Sequence, residues 1–316
     1  MSAGVQGQPA SAAANAAARG AGERGTEAGG TEAGGTEARG TAARRAGERG
    51  AGARGMGLCR ALHAEWTKLR TVSGPAWLLL GLAALTIVVS AAADAATHCP
   101  RDLACPVDTT RLSLTGVQLG QAVVAMLAVL TVSGEYGSGM MRITLAAMPR
   151  RHTVLAAKAI LLAALVLAAG AVAVLGSVLA GHLILPGHGF TAARGFHPVW
   201  LSYGPALRAA SGSVLYLGLI ALLSLGVAVI VRDSAVSIGA VLALLYLSPV
   251  VGSFIGNEHW QHRIERWTPT VAGLTIQDTT GLRSLAITPW AGLGVLAIWA
   301  AAAMLAAGLV FRFRDV

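Results

Sequence analysis

Charged side chains are scarce in this chain, and six long stretches lack them altogether. Asp, Glu, Lys and Arg make up 12% of the 316 residues, and the mean hydropathy is +0.62. A stretch of about twenty apolar residues forms a helix as long as the hydrocarbon core of a bilayer is thick. The scarcity excludes an ordinary soluble domain. It predicts an all-α integral membrane protein with six transmembrane helices, at residues 76–93, 117–133, 159–181, 209–231, 235–255 and 290–311.

Lysine occurs only twice, at Lys68 and Lys158, and neither residue follows a glycine-rich loop. The chain therefore has no phosphate-binding loop of the Gly-x4-Gly-Lys-Ser/Thr type, in which the lysine reaches the phosphates. The segment 137–139, Gly-Ser-Gly, lacks the spacing and the strand–turn–helix context of a hydrolase nucleophile. We predict that the chain is not an enzyme and binds no cofactor of its own.

Asp, Glu, His, Lys and Arg are absent from the predicted spans. Carriers driven by protons or ions, and intramembrane proteases, place such residues deep in their spans. Here the nearest ones lie at span ends: Asp94, Lys158, His182, Arg208 and Arg232. Gln118, Gln121 and scattered Ser and Thr are the polar residues within. A mechanism driven by a proton gradient lacks an obvious relay, so we expect the energy to come from another protein.

Cysteine occurs three times in the chain. Cys99 and Cys105 fall in the first predicted outer loop, where the medium is oxidising, and the spacing allows a disulfide that closes this loop. The alternative is two thiols that never meet. Cys59 is predicted to face the cytoplasm and to stay reduced.

Metal-binding patterns are also weak. The closest one is the pair His259 and His262, which lies near Glu258 and Glu265. Two histidines at this loose spacing specify no third ligand, whereas structural zinc sites use four. We therefore predict no metal site.

The formal net charge of +9 and the pI near 10.5 would suit a nucleic-acid-binding protein. However, seven arginines lie in the first 55 residues among Gly and Glu. Most others flank the apolar stretches, where they contact lipid headgroups and set the orientation. We predict the lipid bilayer as a partner and no nucleic acid. With the N-terminus inside, 10 Lys and Arg residues lie near inner span ends and 7 near outer ones. An even span number then places both termini on the cytoplasmic side of the plasma membrane.

Residues 1–55 form a low-complexity tail of Ala, Gly, Arg, Glu and Thr, with a repeat of the type TEAGG. Such a tail has little apolar surface to bury, so we predict that it is disordered. Translation from Met56 would remove it without touching a predicted element.

Residues 56–72 are predicted to form an amphipathic helix. Leu58, Leu62, Trp66 and Leu69 share one helical face. Basic and polar residues lie opposite, as in a helix that lies in the inner headgroup layer. Glu65, at the edge of the apolar stripe, can pair with Lys68 three residues on. A cytosolic helix that packs on another protein is the alternative.

The second predicted span leads into the most polar inner segment, residues 134–152. Three glycines within six residues break the membrane helix, and a short helix around Met140–Met148 can follow, ended by Pro149 and a basic cluster. Loops of this kind are candidates for protein contact. An ordinary positive-inside connector is the alternative.

In the order of these segments around six spans, the chain resembles the membrane subunits of ABC-2-type exporters, particularly those of high-GC actinobacteria. The matching motifs are Glu65-Trp-Thr-Lys-Leu-Arg70, Gly134-Glu-Tyr-Gly-Ser-Gly-Met-Met-Arg142, Leu145-Ala-Ala-Met-Pro-Arg-Arg151, Thr288-Pro-Trp-Ala-Gly-Leu293 and Arg312-Phe-Arg-Asp315. The resemblance covers residues 56–316, with a six-span permease domain at 73–316, and leaves the tail outside.

The resemblance implies a two-fold assembly in which two permease subunits, identical or different, pair in the membrane above two separate ATPase subunits. ATP is then bound by the partner. The helix at 56–72 would be a connecting helix, with Glu65, Trp66, Lys68 and Arg70. The loop after the second span would carry the contacts to the ATPase, namely Glu135, Tyr136, Gly137, Gly139, Met140, Met141 and Arg142.

The uncharged spans suit an apolar or amphipathic cargo such as a drug, a natural product or a lipid. The function expected is therefore export of such a molecule. A secondary carrier and a non-transporting membrane scaffold are the alternatives.

Overall fold

The computed structural model describes most of the chain beyond residue 60. The described residues are 61–67, 71, 73–100, 105–137, 151–197, 199–250, 263, 266–282 and 285–313. Within these ranges 84% of the residues are helical and none lies in a strand, as the sequence predicts. The tail at 1–55 lies outside them.

We number the α-helices of the described ranges in chain order. They are α1 (Ser73–Ala96), α2 (Thr109–Ser113), α3 (Val117–Gly137), α4 (Arg151–Ile184), α5 (Gly204–Val231), α6 (Ser234–Leu242), α7 (Pro269–Leu274) and α8 (Pro289–Phe313). Short 3-10 turns lie at Leu185–His188, Ala192–Arg194 and Thr275–Gln277. Residues 61–67 are helical as well, whereas the rest of the predicted 56–72 helix lies largely outside the described residues.

Five helices are long and apolar enough to cross a membrane, which makes this a multi-pass membrane protein. They correspond to α1, to α2 with α3, to α4, to α5 and to α8. The fifth predicted span, 235–255, appears as a shorter apolar helix at Ser234–Val250, with a π-helical turn at Ala243–Leu247. Residues 251–255 lie outside the described ranges.

The observed helices are longer than the charge-free stretches that predicted them. α4 has 34 residues and is therefore about 50 Å long, against about 30 Å for the hydrocarbon core. The reason is that a charged side chain does not end a helix. Arg151, His152 and Lys158 all continue it. The end is set instead by Pro186, which lies in the 3-10 turn that follows.

Helix ends at the tight α5–α6 connection are fixed by two adjacent residues. Arg232 takes the left-handed conformation (φ 64°) that closes α5. Asp233 then caps α6, because its Oδ1 accepts a hydrogen bond from the Val236 N–H at 2.8 Å. This hairpin is as short as the sequence predicts.

α5 is the centre of the bundle. It packs against α3, α4 and α8, and 61% of its membrane-length window is buried, compared with 17% for α1. Close approach to α8 depends on Gly226, since a Cβ there would lie 2.7 Å from the backbone carbon of Ala303. Small residues at helix contacts are typical of membrane bundles.

The helices alternate in direction, so the bundle has two ends. We call one the cysteine end, which holds Cys99, Asp108 and Asp278. We call the other the glutamate end, which holds Glu65 and Lys158 together with the α5–α6 turn. α1 and α4 run towards the cysteine end, while α3, α5 and α8 run away from it.

Candidate functional site

A buried ion pair joins the helical segment 61–67 to α4 at the glutamate end. Lys158 Nζ donates a hydrogen bond to Glu65 Oε2 at 2.8 Å, and each side chain is only 7% exposed. Lys158 lies two turns into α4, where the helix has left the polar loop before it. Since an unpaired buried charge is strongly unfavourable, each of these two side chains stabilises the other in place.

The structure gives Glu65 a different partner from the one that the sequence proposes. The sequence places Lys68 within reach at i+3; the structure places Lys158 against Glu65, and Lys68 lies outside the described residues. The sequence did indicate that Lys158 needs a partner. Lys158 is the only charged residue between His152 and His182, and an isolated lysine in an apolar run needs a buried acid. Nothing in the pattern says which acid, because the two residues are 93 positions apart.

The predicted ATPase-contact residues begin inside α3. Its backbone remains helical through Glu135 and Tyr136 to Gly137, so the helix passes Gly134 before it ends. Gly139, Met140, Met141 and Arg142 lie outside the described residues. α4 begins at Arg151 and reaches Lys158 two turns later. Along the chain, Lys158 thus follows the polar segment 134–152 that holds the predicted contacts.

The remaining connecting-helix residues are only partly described. Trp66 lies in the helical segment 61–67 and is 40% exposed. Arg70, like Lys68, lies outside the described residues. The amphipathic character of the whole 56–72 segment therefore stays a prediction.

At the cysteine end, Cys99 and Cys105 form a disulfide with their Cα atoms 6.0 Å apart. Arg194 holds the same loop from the other side, because its guanidinium donates to the carbonyl oxygens of Cys99 at 3.0 Å and Pro100 at 2.6 Å. His98 and His188 stack with ring centroids 4.4 Å apart. The sequence proposed the disulfide but offered no indication of the Arg194 contacts.

Asp108 ties a distant loop to the same end. It caps α2 and also accepts hydrogen bonds from the Thr279 hydroxyl at 2.7 Å and the Thr280 N–H at 2.9 Å. Burial alone would raise the pKa of the Asp108 carboxyl. Hydrogen bonds from Thr279, Thr280 and the Arg111 N–H outweigh burial and hold this pKa below its ordinary value of 3.8.

Asp278 precedes Thr279 in the chain and extends these contacts into a polar cluster of Asp108, Arg111, Arg208 and Asp278. Its Oδ1 lies 2.6 Å from Arg111 Nη1, and its carbonyl oxygen accepts a hydrogen bond from Arg208. Burial raises the pKa of the Asp278 carboxyl, and the positive charge of Arg111 only partly offsets this. The cluster joins α2, the start of α5 and the segment before α8.

A cavity of about 680 Å³ opens beside this cluster, between α3, α7 and the end of the apolar helix Ser234–Val250. Its volume lies in the range of sites for drug-sized ligands, which are mostly apolar with a few polar groups. The polar groups here include Gln118, Gln121, Tyr246 and Thr270 among apolar side chains. Tyr246 donates to the Gln118 carbonyl, and Tyr216 to Gln121 Oε1. The two glutamines that the sequence marks as polar residues within the spans therefore lie at this cavity.

The described ranges contain no group of three or more His, Cys, Asp or Glu side chains that could hold a metal ion. The histidine pair that resembles a metal site in the sequence, His259 and His262, lies outside those ranges. A scan against protein-family models found no match, and a search of curated proteins found none either.

Proposed function

We propose that this chain is the membrane subunit of an ATP-driven ABC-2-type exporter. It pairs with a second permease subunit in the plasma membrane and is driven by a separate ATPase subunit at its cytoplasmic face. Its cargo is an apolar or amphipathic small molecule. The proposal rests on the motif order in the sequence and on one structural observation, the buried ion pair of Glu65 and Lys158.

The ion pair supports the proposal because of the two elements that it joins. In exporters of this kind, the helix before the first span is a connecting helix, and the loop after the second span contacts the ATPase. Glu65 belongs to the first element, and Lys158 lies two turns after the end of the second. A displacement of either element is transmitted to the other through a contact that excludes water.

Chain direction supports a sixth span. α5 ends at the glutamate end, and α8 begins at the cysteine end, where Gly292 lies against Ala272 and Thr275. The chain must therefore return between them, and the apolar helix Ser234–Val250 leads that way. Near its far end, Tyr246 bonds to Gln118 at the start of α3. Its 17 residues span about 25 Å, and the predicted span 235–255 continues for five residues beyond its end.

Copurification tests the ATPase partner. The full chain, tagged at its C-terminus, is purified in mild detergent from membranes of its native host. We expect a copurifying subunit that is photolabelled by azido-ATP and that hydrolyses ATP. The double substitution Glu135→Ala with Arg142→Ala should release this subunit while the amount of permease in the membrane is unchanged. Arg312→Ala, a basic residue on another helix at the same end, is the matched control and should retain the subunit.

Transport tests the cargo class. Inside-out vesicles that hold the complex should take up ethidium, an amphipathic cation, only when ATP is supplied. Uptake by the permease alone, driven by a pH gradient without nucleotide, would identify a secondary carrier instead. A chain that purifies with a stable ATPase yet moves no amphipathic dye contradicts the cargo class, and one that purifies with no ATPase at all contradicts the exporter.

A further inference from the structure

Asp94 is a carboxyl buried inside the bundle near the cysteine end of α1. It is 0% exposed. Ser113 of α2 lies on one side, with its Oγ 3.1 Å from Asp94 Oδ1. Gly181 of α4 lies against both side chains, since a Cβ there would overlap Ser113 Oγ and would be 3.1 Å from Asp94 Oδ2. Oδ2 itself has no hydrogen-bond partner.

Ser113 has two oxygen neighbours within hydrogen-bonding distance but only one hydroxyl hydrogen. Ser113 Oγ lies within bonding distance of two oxygens, Asp94 Oδ1 at 3.1 Å and the Thr109 carbonyl at 3.0 Å. A serine hydroxyl has a single hydrogen to donate. If Ser113 donates to both oxygens, they share one hydrogen; two separate bonds form when Ser113 donates to the Thr109 carbonyl and the Asp94 carboxyl donates to Ser113 Oγ.

Among the described residues, the elements that pack against α1 supply no counter-charge to Asp94. α1 packs against α2, α3, α4 and the turn Leu185–His188. The charged or titratable residues of these elements near the cysteine end contact other groups: Arg111 pairs with Asp278, His182 packs on Trp200, and His188 bonds to His98. α3 has none between Val117 and Gly134. An ionised carboxylate with one hydroxyl partner in this setting is strongly disfavoured, whereas a neutral acid is not.

We propose that Asp94 is a proton-binding site: its carboxyl is neutral and donates a hydrogen bond to Ser113 Oγ, which joins α1 to α2 beneath α4. The ligand is a proton. With the proton bound, α1 crosses the membrane with no charge between Ser73 and Ala96. Any movement that separates α1 from α2 and α4 exposes the acid and releases the proton to the solution at the cysteine end. This inference does not depend on the exporter proposal.

Infrared spectroscopy of the purified full chain in detergent tests the site near neutral pH. The wild-type spectrum should contain the carbonyl stretch of a protonated carboxylic acid, and Asp94→Asn should remove it. Asp108→Asn is the matched control: the Asp108 carboxyl is ionised at this pH, so the band should stay. Ser113→Ala should move the band to higher frequency, because the acid loses its acceptor, a change that a merely structural role would not produce.

A measurement on the wild type alone covers the case in which Asp94→Asn does not fold. Aspartate labelled with carbon-13 at the carboxyl should shift the band, and it should not shift when only glutamate is labelled. Absence of any aspartic acid band in the wild type overturns the proposal. A carboxylate that changes its spectrum on addition of sodium would also overturn it, since the site would then bind a metal cation instead.

Discussion

At the scale of single residues, burial decides what a change of charge costs. Glu65 and Lys158 are both almost inaccessible to water and 2.8 Å apart. Glu65→Leu or Lys158→Leu leaves one buried charge without its partner and should lower the free energy of unfolding by about 3–5 kcal/mol. The double substitution removes both charges and should lie close to wild type. Thermal unfolding of the wild type, the two single variants and the double variant in detergent gives the interaction free energy between Glu65 and Lys158.

Arg312→Leu is the control for the ion pair, because Arg312 is exposed at the same end of the bundle. It should change stability by less than about 0.5 kcal/mol. If the double variant loses as much as the two single variants together, the pair does not stabilise the fold.

Asp108 gives a pH dependence whose sign follows from its lowered pKa. A carboxyl of lowered folded-state pKa contributes stability that is present above its ordinary pKa of 3.8 and is lost as the pH falls through the lowered value. The wild type should therefore unfold at a higher temperature than Asp108→Asn at neutral pH, and the difference should shrink in acid below that pKa.

Asp278→Asn provides the opposite trend. The pKa of the Asp278 carboxyl is raised, chiefly by burial, so its contribution is present at low pH and is lost as the pH rises through the raised value. Relative to Asp278→Asn, the wild type should lose stability as the pH rises. If the stability differences of both variants from wild type change with pH in the same direction, the opposite pKa shifts of Asp108 and Asp278 are contradicted.

At the scale of helices, close packing explains which glycines are needed. Gly226→Ala places a methyl group 2.7 Å from the backbone carbon of Ala303, so α5 and α8 must separate. Overpacking of this kind costs about 1–3 kcal/mol. Gly308→Ala is the matched change on α8, where nothing lies within 4 Å of the new methyl. It should be neutral or stabilising by up to about 1 kcal/mol, because alanine favours helix. Unfolding temperatures in detergent distinguish the two, and equal effects would contradict the packing.

The helices were predictable from the sequence, and their partners were not. Apolar length alone indicates α1, α3, α4, α5 and α8, because a bilayer sets the length of what crosses it. The predicted ends were too short, because helices continue through charged residues such as Lys158. Contacts between elements, such as that of Asp108 with Thr279, were invisible, since 171 positions separate the two and no pattern on one helix names its neighbour.

At the scale of the whole molecule, the disulfide leaves one thiol that reports on orientation. With Cys99 and Cys105 joined, Cys59 is the third cysteine of the chain. The excess of Lys and Arg near the predicted inner span ends predicts that Cys59 faces the cytoplasm. A maleimide that cannot cross the membrane should leave the chain unlabelled in intact cells and label it after permeabilisation.

Two variants check the labelling. Cys59→Ser should never react. Gly187→Cys, in the turn after α4 at the cysteine end, should react in intact cells. Labelling of Cys59 in intact cells would show that the orientation is the opposite of the predicted one.

The length of α4 has a mechanical consequence. One unbroken helix of 34 residues is longer than the hydrocarbon core is thick, with Lys158 two turns from its start and Gly181 in its last turn. A tilt of such a stiff helix about a point between these two residues moves them in opposite directions. A tilt that moves Lys158 inward therefore moves Gly181 outward, away from Ser113 and Asp94, against which it packs. A rigid tilt of this sort would couple the two ends of the bundle without bending the helix.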